Sequence, residues 1–427
     1  MIPRSDVLAM IAVFLLALAA RFTFLAAGGV REGGDTPEYA MLAHNLVVHR
    51  AYTLSSTPPF IPMVRRSPSY PAFIAVLTGR GAVDGRRIAA VQIALDSCVA
   101  AALLLLTPAV PMRSMRIAAA AMYALHPAAI ASASTLLSEA LFTFLLACGV
   151  VLVIAGRRSD RLLLSGAGGV VMALAILCRP IAMLYVLSSV VVLLLWRRQP
   201  RAASHVVALL AGCALTVLPW TVRCTAVTGR LVIAQAAGIT NWYLPTRWDL
   251  DQSDQVTLWR EFNNDPYGRR LNAARTPAEI AATSRFGAEQ ALRNVRANPS
   301  AYIAARIRTY PHLFISSFGA TVGVNRTLGA VVGEHHFGTA LLLAGFLLVF
   351  SILPLAAAAA GVRGAVRDPA GALCVALVVS TLLVHIPMWI EYRYWLPVLP
   401  YELALAAAGA AVIAGWQRRP APSASVD

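Results

Sequence analysis

Asp35 and Glu38 stand three residues apart in the stretch GGDTPEYAMLAHNL, directly after the first long apolar run of a chain that is short of acids. If TPEYAMLAHNL is helical, that spacing puts both carboxylates on one face, with Asp35 as N-cap and Pro37 in the first turn. Spacing alone fits two readings, an aspartate that merely caps an interfacial helix and a carboxylate placed to move a proton. Glu139, in TLLSEALFTFLL, begins another apolar run at a depth where an ionised carboxylate is costly without a partner or a wet cavity. On the same expected face fall Arg65 and Arg66 in RRSPSYP, Arg179 in CRP, Arg223 in LPWTVRC, and Glu391 with Arg393 in IEYRYWLP. A carboxylate takes a proton and a guanidinium fork holds phosphate, so such a set suits a reaction between an anionic lipid headgroup and a hydroxyl.

The elements that must position these groups follow from composition. The 427 residues are 58% hydrophobic and 13% charged, with mean hydropathy +0.67, whereas soluble domains carry about 25% charged residues. Most of the surface must therefore face lipid. The net charge is +16, and every fixed positive charge is an arginine. Because the arginines sit in short clusters between apolar runs, they read as loops of a membrane protein and not as a nucleic-acid surface. The cysteines Cys98, Cys148, Cys178, Cys213, Cys224 and Cys374 form no CxxC pair, which points to neither a disulfide framework nor a zinc site.

A spanning helix needs about 20 apolar residues, and this ruler predicts about ten spans. They lie near 7–27, 87–108, 117–136, 138–156, 162–179, 181–196, 204–222, 338–361, 370–388 and 395–415. With these spans Arg4, Arg113, Arg116, Arg157, Arg158, Arg161, Arg197, Arg198, Arg201, Arg363, Arg367, Arg418 and Arg419 share one side, cytoplasmic by the positive-inside rule, as are both termini. The short run 70–79 is expected to re-enter or lie at the interface. Residues 1–29 read as an uncleaved anchor, with a cleaved signal peptide as the rival. The expected organisation is an N-terminal module 1–222 with a first external loop 28–86, an external segment 223–337, C-terminal spans within 338–416 and a disordered tail 417–427. In the external segment, TPAE predicts a capping box on Thr276 and Glu279, opening a helix that Pro299 stops. The following SAYIAARIRTYPHLF is expected to lie along the interface.

Other polar groups have simpler readings. Arg179 and Arg223 each end an apolar run and fit snorkelling as well as ligand binding. Arg21 and Asp96 read as a buried structural pair. His126 and His385 read as packed side chains, Glu334–His336 as weak metal-binding signal, and Trp220, Trp242, Trp248 and Trp395 as an interfacial belt.

In order along the chain, GGDTPEYAMLAHNL, RRSPSYPAF, HPAAIASASTLLSEALF, ALAILCRP, LPWTVRCTAVTGRL, GITNWYL and EYRYWLPVLPY resemble the polyprenyl-phosphate-sugar-dependent glycosyltransferases of the GT-C superfamily. The protein mannosyltransferase and lipid A aminoarabinose transferase groups are the most similar. The resemblance implies an all-α polytopic bundle of about ten transmembrane helices with extracytoplasmic loops and interfacial helices, set in a bacterial cytoplasmic membrane. It implies an inverting transfer on the extracytoplasmic face, from a polyprenyl-phosphate-linked sugar to a hydroxyl on a lipid, glycan or protein. Asp35 falls on the family's catalytic aspartate, with Tyr39 at the matching spacing, and Glu139 on its second acid. Arg66, or Arg65, corresponds to the basic residue that contacts the donor phosphate, and Arg393 to a C-terminal arginine near the donor. Relatives often carry glutamate directly after the aspartate; here Thr36 stands there, and Glu38 is the nearest substitute in a divalent metal site. Two other readings stay open: a glycolipid transporter, and a polymerase or ligase of the O-antigen type that uses diphosphate-linked donors.

Overall fold

The computed structural model describes residues 3–107, 110, 112–195, 201–236, 238–248, 255–316, 318 and 328–415. Arg197, Arg198, Arg418, Arg419 and the expected tail lie outside the described residues. Helices dominate: α1 Arg4–Gly28, α2 Thr36–Val48, α3 Ser69–Thr78, α4 Gly85–Leu106, α5 Arg113–Ala124, α6 Pro127–Ala133, α7 Glu139–Ser159, α8 Leu162–Ile176, α9 Ala182–Leu195 and α10 Ala202–Thr228. Then come α11 Thr240–Tyr243, α12 Gln255–Asn264, α13 Pro266–Ala273, α14 Pro277–Ala297, α15 Pro299–Thr309, α16 Leu328–Gly333, α17 Phe337–Leu347, α18 Leu353–Ala365, α19 Pro369–His385 and α20 Leu399–Ile413. A π-turn over Leu348–Ile352 joins α17 to α18. Among the described residues the only sheet-like contact is a bridge between Arg31 and Thr135.

The chain is an all-α polytopic membrane protein. Five helices are long and apolar enough to cross a bilayer: Arg4–Gly28, Gly85–Leu106, Glu139–Ser159, Ala202–Thr228 and the continuous Phe337–Ala365. α8, α9, α19 and α20 are apolar but shorter than the spans the sequence predicts. Leu8, Leu163, Val207, Leu215 and Leu341 are more than half exposed, as lipid-facing positions must be.

The span expected at 117–136 is instead two helices. Pro127 disfavours helical backbone at the residue before it, and His126 is accordingly extended (φ −67°, ψ 121°). The broken pair still runs the length of α1. Arg113 and Arg116 reach Asp6 at one end, while Leu136 N–H donates to the Arg31 carbonyl at the other.

Charge marks the two ends. At the Asp6 end, Arg158 meets Asp368 and Arg201 meets Asp160. At the Arg31 end lie Asp35, Arg66, Glu139 and Arg393. α3 leaves and returns on the Arg31 side: Ser69 N–H binds the Leu177 carbonyl, and Gly85, which opens α4, lies against Leu136 and Val30.

Small residues let the helices close up. A Cβ on Gly169 would lie 2.0 Å from the Leu209 carbonyl oxygen, and one on Gly212 2.2 Å from that of Gly166. Helices α8 and α10 therefore touch backbone to backbone, the packing that glycine permits in lipid. Between α1, α4 and α5, Arg21 Nε donates to Asp96 at 2.7 Å and the Tyr123 hydroxyl to the other Asp96 oxygen at 2.7 Å, a buried polar network.

The outer segment folds back on the bundle. α10 continues to Thr228, beyond the boundary expected at 222. Thr276 and Glu279 form the capping box, α14 ends at Ala297, and Asn298 caps α15 through its side chain. Ala236 N–H binds the Val64 carbonyl and Trp389 N–H that of Asn241, joining this segment to the first loop and to the turn before α20.

Candidate functional site

Two clusters of acids and arginines form at the Arg31 end of the bundle. In the first, Asp35 occupies the N-cap position of α2, but its side chain makes no capping hydrogen bond. The reading of Asp35 as a mere cap is thus corrected: its side chain leaves the helix end, while Thr36 anchors the start of α2, accepting from Gly33 N–H and donating to the Leu136 carbonyl. Asp35 turns instead to Arg66, whose Nη2 lies 2.8 Å from Oδ1, and its side chain stays 33% exposed. Arg66 Nε reaches Glu38 Oε2 at 2.5 Å, while Arg65 Nη2 takes Oε1 at 2.6 Å. One guanidinium plane thereby joins the two carboxylates that a helical turn sets side by side.

Tyr39, on the same helix, faces the Arg66 guanidinium at 5.7 Å and packs edge-on against Tyr70 at 4.9 Å. Burial, followed by the Asp35 charge, pushes its phenol up to about 12, so it remains a neutral donor. Burial works against the charge on Arg66, but Asp35 and Glu38 outweigh it and hold its pKa above the ordinary guanidinium value.

The second cluster centres on Glu139 at the start of α7. Its Oε1 lies 2.7 Å from Arg179 Nη1 and 3.8 Å from Arg393 Nη1, with the side chain 4% exposed. Buried Oε2 accepts no hydrogen bond among the described residues. Arg393 also contacts Glu391, Nε to Oε2, at 2.5 Å. Tyr394 lies beneath both cations, 5.2 Å from Arg179 and 5.3 Å from Arg393.

The clusters share one field. Burial opposes the charge on Arg393, yet Tyr394, Glu391, Glu139 and Asp35 together raise its pKa well above the ordinary value. Tyr39 likewise feels Asp35 and Arg66 from one cluster and Glu139 and Arg179 from the other. Asp35, Glu38, Tyr39, Arg65, Arg66, Glu139, Arg179 and Arg393 thus come together from five separate stretches of chain.

Arg223 stands apart from the acids. It donates to the Met63 carbonyl at 2.9 Å and lies 4.6 Å from the Trp220 ring. It props the strand of loop that carries Arg65 and Arg66, with Tyr52 donating its hydroxyl to the Ser67 carbonyl. Trp395 is no belt residue: it is fully buried and its indole N–H donates to Glu402 at 2.5 Å. Among the described residues no three His, Cys, Asp or Glu side chains come together, His336 and Glu334 being 4.0 Å apart. The Asp35 and Glu38 carboxylates are both engaged by guanidinium groups, a donor set that does not fit a divalent cation.

A scan against protein families and a comparison with curated proteins find no match. Solved structures do match. The apo oligosaccharyltransferase of Archaeoglobus fulgidus aligns at TM-score 0.55 and 13% identity, over 96% of this chain and 51% of that one. The same archaeal enzyme, AglB, with an inhibitory peptide and a dolichol-phosphate aligns at 0.54 and 12%, over 98% and 52%. Its complex with Zn and sulfate gives 0.55 and 12%, over 96% and 49%. The fold is the GT-C fold.

At this identity the likeness is one of architecture, and the chain spans about half the length of the structures it matches. One residue close to the site, Tyr394, is not singled out by the sequence reading; its place between Arg393 and the proline-bounded α20 is the signal that points to it.

Proposed function

We propose that this chain is an integral-membrane inverting glycosyltransferase that moves a sugar from a polyprenyl-phosphate donor to an acceptor hydroxyl. The observation that carries the reading is a partly exposed carboxylate, Asp35, whose charge reaches Tyr39 and Arg393 together with that of the buried Glu139–Arg179–Arg393 cluster at one end of a GT-C bundle. The isoprenoid stays in lipid while its headgroup reaches this end. Arginines also cluster between spans at the Asp6 end, and by the positive-inside rule this supports a site on the extracytoplasmic side.

In the proposed step the acceptor hydroxyl oxygen attacks the anomeric carbon as its proton passes to Asp35. The carbon–oxygen bond to phosphate breaks on the opposite face, and the leaving phosphate takes the bonding electrons. Arg66 and Arg65 from one side, and Arg179 and Arg393 from the other, stabilise that charge through guanidinium hydrogen bonds. Glu139 holds Arg179 and Arg393 in register, and Tyr39, kept protonated, offers a neutral hydrogen bond to the sugar or its phosphate. Arg223 positions the loop of Arg65 and Arg66. No step runs through a metal.

The purified protein in proteoliposomes, given labelled sugar on polyprenyl monophosphate and membrane extract as acceptor source, should form new glycosides. Labelled lipid that changes leaflet with no new glycosidic bond would replace this reading by transport. Consumption of diphosphate-linked donors alone would replace it by polymerase or ligase chemistry.

A further inference from the structure

Among the described residues Arg306 is a buried cation with no acid in contact. On α15 the side chains of Ile303 and Ile307 are 55% and 70% exposed, facing outward, while Arg306 points inward and is 7% exposed. Its Nε and Nη2 make no hydrogen bond among the described residues. Burial pulls its pKa below the ordinary guanidinium value, against the weaker influence of Tyr302 and Tyr310. Those tyrosines lie four residues before and after it, on the same helical face. Burying an uncompensated guanidinium is costly, so a fold that keeps one gains something when an anion arrives.

The place is next to the site. The turn Tyr310–Leu313 that continues α15 packs on the turn Tyr392–Tyr394, and the Tyr310 hydroxyl donates to the Leu382 carbonyl at 2.5 Å. One helical turn on, His385 stacks on Tyr394 at 5.7 Å and feels the charges of both Arg179 and Arg306. Tyr394 in turn lies under Arg179 and Arg393. The acids of the site, Asp35, Glu38, Glu139 and Glu391, are each already in contact with another arginine, which leaves none for Arg306.

We propose that Arg306 is a binding residue for the phosphate of a lipid-borne ligand, which passes beneath the lipid-facing helix α15 before it reaches Arg179 and Arg393. The assignment rests on the donor reading above and extends it to a residue of the outer segment. The chemistry is a phosphate group on an apolar chain, and two sources carry it: the polyprenyl-phosphate donor and ordinary anionic phospholipid. A guanidinium at this spot holds a tetrahedral phosphate through two N–H donors.

Retention of polyprenyl phosphate by the purified protein, read by native mass spectrometry with and without excess phosphatidylglycerol, separates the sources. Wild type should retain the polyprenyl phosphate in the presence of phosphatidylglycerol, and Arg306→Gln should weaken retention about tenfold or more. Arg306→Lys should recover part of it. Competition by phosphatidylglycerol that vanishes in Arg306→Gln would support a phosphate site of phospholipid origin. Equal retention by wild type and Arg306→Gln overturns the role of Arg306 and leaves the donor reading standing; no retention of either lipid by wild type overturns both. If Arg306→Gln fails to fold, Arg306→Met and the shift in Tm that polyprenyl phosphate induces take its place, with an unchanged shift counting against the proposal. A lone structural role for Arg306 predicts a lower Tm in the Met variant, whereas a residue kept for a ligand predicts a Tm as high as wild type or higher, with lipid binding lost.

Discussion

Arg179 places Nη1 2.7 Å from Oε1 of Glu139, and the other Glu139 oxygen, buried beside it, accepts no hydrogen bond among the described residues. The pair closes the lower wall of the site, with one face against Tyr394. Removing one partner strands the other charge in an apolar setting. Glu139→Gln should therefore lower stability by about 3 kcal/mol, the cost typical of breaking a buried pair. The double variant Glu139→Gln with Arg179→Met should recover much of that loss, read as Tm in detergent, without recovering transfer. Additive losses in Tm would show that the two side chains do not act as a pair.

Arg66 spans two carboxylates with different nitrogens, Nη2 on Asp35 and Nε on Glu38. A lysine offers a single ammonium and cannot hold that geometry. Arg66→Lys should keep its charge and its fold yet lower kcat/KM about tenfold to a hundredfold, which corresponds to about 1.4 to 2.7 kcal/mol of transition-state binding. Activity equal to wild type would mean that only charge matters at this position.

Helices α8 and α10 meet where no side chain fits. A Cβ at Gly169 would stand 2.0 Å from the Leu209 carbonyl oxygen, and main chain cannot yield as a flexible side chain does. Gly169→Val should push the helices apart, costing about 3 kcal/mol or more and lowering the yield of folded protein in detergent size-exclusion runs. Gly329→Val, at a glycine with open space around the Cβ position, is the control that should leave the profile unchanged.

The capping box at α14 carries its own pH dependence. Main-chain N–H groups of Arg275 and Thr276 donate to Glu279 and hold its carboxyl below the ordinary value of 4.5. A depressed folded-state pKa contributes stability that is present above the unfolded value and lost as pH falls through the folded one. The protection of the first turn of α14, corrected for the intrinsic exchange rate, should therefore fall below about pH 4.5 in wild type. In Glu279→Gln it should not change across that range. Thr276→Ala should loosen the same turn, by about 1 kcal/mol.

Much of the arrangement was legible because lipid makes charge conspicuous. Arg21 and Asp96, Glu139, Arg179 and Arg393 stand out from apolar surroundings, and the capping box at Thr276 is a purely local pattern. What escaped depends on three-dimensional neighbours. The partition of Asp35 between capping and pairing is decided by Arg66, distant in sequence. The apolar run at 117–136 hides a break because hydropathy averages over Pro127. Trp395 looks like a belt residue until the proton-rich edge of its indole meets Glu402 inside the bundle. Arg306 reads as one of several arginines on an interfacial helix, and only its burial on the inward face of α15 distinguishes it from exposed Arg308.

The central claim is that the Asp35 carboxylate takes the proton of the acceptor hydroxyl at the outer end of the bundle. The most direct test is single-turnover transfer from labelled polyprenyl-phosphate sugar by wild type and Asp35→Asn, with donor binding and Tm measured on the same preparations. The account predicts transfer reduced to background in Asp35→Asn, with donor retention within about twofold of wild type and Tm within about 1 kcal/mol equivalent, as fits a partly exposed ion pair. Transfer by Asp35→Asn at the wild-type rate would contradict it.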